Sequence, residues 1–111
     1  MRYNTIRKKE KGRVRMPFVL RHRDSQEIAT ATLINNYNIP YWGAKVWESM
    51  ADAELEKADF LNSIEVNDAE HDTWEFVEVE ESKVKMMNVK LNNQSNRRVH
   101  MNEQGQLSVV K

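Results

Sequence analysis

Residues 13 to 23, RVRMPFVLRHR, alternate: Val14, Met16, Phe18, Leu20 and His22 share one parity, and Arg13, Arg15, Pro17, Val19, Arg21 and Arg23 the other. A period of two sends successive side chains to opposite faces, as in an extended strand. An isolated strand leaves its backbone groups unpaired, so the rest of the chain has to supply a sheet. Pro17 has no N–H to give to a ladder, which places this strand at an edge or at a bulge.

Asp24-Ser25-Gln26 reads as a turn, and EIATATLI, residues 27 to 34, is rich in β-branched residues and reads as the returning strand of a β-hairpin. Two registers compete. A two-residue turn at Asp24-Ser25 sets Leu20 opposite Ala29; a three-residue turn sets Arg23 opposite Glu27 and Leu20 opposite Thr30. The second is preferred, because it pairs opposite charges and neither Asp24 nor Ser25 is the glycine that a tight primed turn favours. A helix over residues 26 to 37 is the competing reading.

Asn38 and Pro40 then resemble the start of a helix. At 100 degrees per residue Trp42, Val46, Met50, Ala53, Phe60, Leu61 and Ile64 gather on one side, which predicts a single amphipathic helix over residues 43 to 63, with Lys57 the exception in its apolar stripe. Trp42 falls within that stripe; Trp47 lies about 100 degrees from it and is expected to be half exposed. WEFVEVEE and KVKMMNVKL read as two strands or one bent strand, opened by Trp74 packed against the helix. RRVHM, NEQG and QLSVV read as a closing hairpin that turns at Gly105. The expected fold is therefore α+β: a basic N-terminal arm over residues 1 to 12, then one domain over 13 to 111. That domain holds a β-hairpin, one amphipathic helix, and antiparallel strands forming a small sheet packed on the helix.

A length of 111 residues suits one hydrophobic core. The chain has no cysteine, which excludes disulfides, thiolate metal sites and cysteine nucleophiles. Its three glycines, Gly12, Gly43 and Gly105, are isolated, so no glycine-rich phosphate loop exists. No run of 18 apolar residues occurs, and MRYNTIRKKEKGR lacks the apolar centre of a secretory signal. The expectation is an intracellular, cytoplasmic protein with no membrane partner.

The formal net charge of zero hides a segregation. Residues 1 to 25 carry nine Lys/Arg against Glu10 and Asp24; residues 26 to 82 carry Lys45 and Lys57 against fourteen carboxylates; residues 83 to 111 carry six Lys/Arg against Glu103. Arg7, Lys8, Lys9, Lys11, Arg13, Arg15, Arg21 and Arg23, with Tyr3 and Phe18 nearby, form a candidate track for nucleic acid or another polyanion, since a phosphate backbone needs cations and stacking bases need aromatics. The same charges also serve as gatekeepers of an exposed edge strand, or as a contact for an acidic protein surface. Glu48, Asp52, Glu56 and Asp59 form a line of carboxylates along the expected helix. With Trp47 they make a candidate protein interface, for a partner or a second copy of the chain.

EVNDAEHDT, residues 65 to 73, groups four carboxylates with His71 but lacks the calcium-loop pattern, and no metal or other cofactor is assigned. Asp72 with Glu81-Ser82-Lys83 has the outline of a metal-dependent nuclease, an arrangement that a chain rich in Glu and Lys produces by chance. The functional expectation is a small non-catalytic binding protein. It contacts nucleic acid through the basic arm and the arginine-faced strand, or else associates with proteins, itself included, through opposed charged faces and an exposed edge strand.

Overall fold

The computed structural model describes residues 15–111, so the expected arm over residues 1 to 12, with Arg7, Lys8, Lys9 and Lys11, and also Arg13, lie outside the described residues. The fold is α+β. Its strands are β1 (Phe18–His22), β2 (Thr30–Ile34), β3 (Pro40–Ala44), β4 (Trp74–Glu78), β5 (Arg98–Met101) and β6 (Leu107–Val110). Its helices are α1 (Met50–Ser63) and α2 (Glu81–Leu91), with a 3-10 turn at Asp68–Thr73.

β1 is not an edge. Its odd residues bond to β4, with Val19 opposite Val77 and Arg21 opposite Glu75. Its even residues meet Trp47 and residues 27 to 29: the Phe18 N–H reaches the Trp47 carbonyl at 2.8 Å, and the Ala29 N–H reaches the Leu20 carbonyl at 2.9 Å. Gatekeeping of an exposed edge is therefore not the role of its arginines. Both faces are covered at mid-strand, because α1 and α2 lie on opposite sides. Val19 and Ile28 pack with Val84, Met87 and Leu91 of α2; Leu20 and Ala29 pack with Ala53 and Leu61 of α1 and with Trp74. The alternation thus marks two buried faces, and the arginines stand where the strand leaves the layers.

The expected hairpin forms only at its base. The Ile28 pairing with Arg21 and the His22 N–H to the Glu27 carbonyl, 2.8 Å, follow the register that sets Leu20 opposite Ala29, not the preferred one. Arg23 is taken instead by the β4 side, where its N–H reaches the Thr73 carbonyl at 2.7 Å. Residues 26 and 28 then bond to β5, through Ile28 N–H to the Val99 carbonyl and Met101 N–H to the Gln26 carbonyl. Beyond that point the chain pairs with β3 as a second hairpin, so residues 26 to 37 are not helical.

Residues 40 to 44, expected at the helix start, are strand β3. The helix begins at Met50, where the Ser49 hydroxyl accepts the Asp52 N–H at 3.1 Å. Residues 83 to 91, read as a strand, belong to helix α2, which starts at Glu81 at the expected break: Val84, Met87 and Leu91, spaced three and four apart, are its buried stripe. Asn92, at φ 51°, ends it in the left-handed conformation that asparagine tolerates. The closing hairpin is as expected, with Met101 opposite Leu107 and Gly105 at φ 81° in the turn. Trp74 is buried beside α1. No helix among the described residues is long and apolar enough to cross a membrane.

Candidate functional site

Each described arginine of the candidate track is engaged within the protein. Arg15 forms ion pairs with Glu48 and Glu81. The hydrogen bond to Glu48, and then the charges of both carboxylates, raise its pKa above the ordinary arginine value against the opposing effect of desolvation. The half-buried Arg21 donates to the Met101 and Asn102 carbonyls at 3.3 and 3.4 Å. Arg23 lies 3.6 Å from Glu75 and donates to the Asp72 carbonyl at 3.5 Å.

The carboxylate line is interrupted in the same way. Glu48 precedes α1 and belongs to Arg15; Asp52 lies in the first helical turn, where a negative charge meets the positive end of the helix dipole. Glu56 accepts the Trp47 indole N–H at 2.9 Å, and Asp59 is exposed. Trp47 itself is 4% exposed, which corrects the expectation of a half-exposed anchor. Its ring stands edge-on to Phe60 and Phe76, with the Lys45 ammonium 5.1 Å from its centroid. The nuclease outline is also dispersed. Glu81 pairs with Arg15, the Lys83 ammonium donates to the Gly105 carbonyl at 2.7 Å, and both sit on a helix. Among the described residues no group of three or more histidines and carboxylates is placed to hold a metal ion.

A different surface stands open. In the β2–β3 hairpin the odd residues of β2 face β3. The Asn35 N–H bonds to the Ile39 carbonyl at 3.0 Å, the Lys45 N–H to the Ala29 carbonyl at 3.1 Å, and the alternation between them is fixed by the register. Thr30, Thr32 and Ile34 therefore direct their N–H and C=O groups away from β3; Thr32 and Ile34 are exposed, whereas Thr30 is covered at 5% exposure. β5 pairs with residues 26 to 28 and then diverges, leaving this edge without a backbone partner among the described residues. The outer edge of β3 is closed by contrast. Pro40 has no N–H, the Trp42 N–H is held by Asn93 Oδ1 at 2.8 Å, and the Ala44 N–H by Asn88 Oδ1 at 3.0 Å.

At one end of the open edge lies a groove of about 580 Å³, lined by Thr30, Thr32, Trp42, Ile64, Val66 and Arg98 among others. The Arg98 guanidinium stacks over Trp42 at 4.9 Å and lies 3.7 Å from Glu27. At the other end is the hairpin tip. Asn35 Oδ1 accepts the N–H groups of Tyr37 and Ile39 at 2.8 and 3.0 Å, and Asn38, at φ 64°, completes the turn. This fixed tip displays Tyr37 at 83%, Ile34 at 59% and Ile39 at 56% exposure.

None of these residues was among the candidates read from sequence. The signal was present: residues 28 to 44 contain no Lys, Arg, Asp or Glu, in a chain that is 31% charged. An uncharged run that folds as an exposed hairpin lacks the usual protection of an open strand edge. Comparison of the chain with protein families, with curated proteins and with solved structures finds no match.

Proposed function

We propose that this chain is a non-catalytic protein-association domain that takes up an extended polypeptide segment along the open edge of β2. The observation that carries the reading is the outward backbone groups of the exposed Thr32 and Ile34, continuing to Thr30 in the lining of a groove of about 580 Å³. Strand addition of this kind draws affinity from main-chain hydrogen bonds and selectivity from pockets for alternate side chains. The groove supplies apolar walls in Trp42, Ile64 and Val66, and polar groups in Thr30, Thr32 and Arg98.

Protein association is favoured over polyanion binding because Arg15, Arg21 and Arg23 are already engaged by carboxylates and carbonyls. A nucleic-acid role rests on Arg7, Lys8, Lys9, Lys11 and Arg13, outside the described residues. A cysteine-free chain suits a reducing compartment, and a cytoplasmic location is part of the proposal.

The test is an NMR titration of the labelled protein with a synthetic peptide of residues 27 to 36, a copy of the β2 strand. The expected result is amide shifts at Thr30, Thr32 and Ile34 and in the groove at Val66 and Arg98. If those amides do not move while single-stranded DNA shifts the arginines in a salt-dependent manner, the polyanion reading replaces this one.

A further inference from the structure

The open edge, the groove and the apolar tip together identify one occupant. Resting on the association reading above, we propose that β2 of a second copy of this chain pairs antiparallel with β2 across a twofold axis at Thr32.

The register follows from parity. The outward groups belong to even residues, so a pairing that uses them joins even to even. Ile28 is already bonded to Val99, which leaves the exposed Thr32 and Ile34 and, at 5% exposure, Thr30, which the pairing has to uncover. Thr32 opposite Thr32 of the copy, with Thr30 opposite Ile34 on each side, engages all three residues of both chains once Thr30, which lines the groove, is uncovered. Each pair exchanges two N–H to carbonyl bonds, about six in total. A slip of two residues leaves one residue of each chain unpaired, and a slip of one presents groups already committed to β3.

The same register matches side chains. The tip follows Ile34 and the groove flanks Thr30, so antiparallel pairing carries the tip of each copy towards the groove of the other. Tyr37, exposed and held by the Asn35 side chain, approaches a site walled by Trp42, Ile64 and Val66. One knob and one groove on each chain give two equivalent contacts, the self-complementarity that a twofold interface requires.

Charge favours this occupant. Residues 28 to 44 are uncharged, so the axis brings no like charges together. The α1 surface carries Asp52, Glu54, Glu56 and Asp59, which repel the same surface of a second copy. The hairpin tip and edge with the groove lining approach the lower end of the roughly 20–30 residues a side of stable interfaces, so a reversible, concentration-dependent dimer is expected.

The experiment is sedimentation velocity over a concentration series, on the intact chain, on Thr32→Lys and, for register, on Thr32→Cys under oxidising conditions. The chain has no cysteine, so T32C reports one position alone, and Leu55→Cys, on the exposed face of α1, is the control. The expected result is a monomer–dimer equilibrium that Thr32→Lys weakens by at least about tenfold, through two ammonium groups opposed at the axis, with an unchanged thermal melt. T32C then cross-links as a dimer and L55C does not. Three results overturn the proposal: a dimer indifferent to Thr32→Lys, a dimer in which T32C fails to cross-link, or a monomer at every concentration. If the monomer still binds the β2 peptide, the edge reading survives and only the copy pairing falls; if it does not, both fall.

Discussion

Trp47 and Tyr37 are both aromatic, one bridged to β1 and the other at the tip of the β2–β3 hairpin, and their environments assign them opposite roles. Trp47 stands edge-on to Phe60 and Phe76, at 5.6 and 5.7 Å, and donates to Glu56, so it joins α1 to the sheet. Trp47→Ala removes an aromatic from a packed cluster, and about 3–5 kcal/mol of stability goes with it. Urea denaturation measures this, and a loss within ~0.5 kcal/mol contradicts the packing role. Tyr37, 83% exposed, touches little of its own chain. Tyr37→Ala leaves the urea midpoint nearly unchanged and weakens self-association, whereas a strongly destabilised Tyr37→Ala protein makes the tip a structural element.

At the scale of elements, the two edges of the second hairpin differ in how they are closed. The Ala44 N–H is held by the Asn88 side chain of α2 in a partly buried setting. Asn88→Ala leaves that donor without its acceptor, at a cost of about 1–3 kcal/mol, and speeds amide exchange at Ala44. Unchanged exchange there contradicts the capping role. Gly43 has a related reason: a Cβ there meets the Tyr41 ring at 2.7 Å and Asn88 Oδ1 at 3.0 Å, so Gly43→Ala disturbs the same closure. The contacts to Asn88 join residues more than forty positions apart, and no local pattern announces them. That also explains which elements were legible in the sequence. The strand at Phe18–His22, the hairpin turning at Gly105 and the helix core over Met50–Ser63 follow from short-range period and turn chemistry. Residues 83 to 91 did not, because Lys83-Val84-Lys85-Met86 alternates as a strand does while Val84, Met87 and Leu91 suit a helix, and packing against Val19 and Ile28 selects the helix. Trp42 and Val46 fell on the α1 stripe by coincidence, and their residues went to strand and connection once Ser49 capped the helix. The candidate site was legible only as an absence of charge over residues 28 to 44, a signal weaker than the basic and acidic runs around it.

Across the described residues, two helices lie on opposite sides of a central strand that is buried on both faces, and the open backbone edge belongs to a hairpin within residues 28 to 44, which carry no charge. An uncovered edge of this kind is a template for pairing with another strand, which is the basis of the proposed association. Amide hydrogen exchange at protein concentrations well below and well above the onset of self-association tests this most directly. The account predicts that the Thr32 and Ile34 amides, exchanging freely in the dilute protein, become protected as concentration rises, while Trp42 and Ala44 stay protected throughout. Protection that appears on the α1 surface instead, with Thr32 and Ile34 exchanging freely at every concentration, contradicts it.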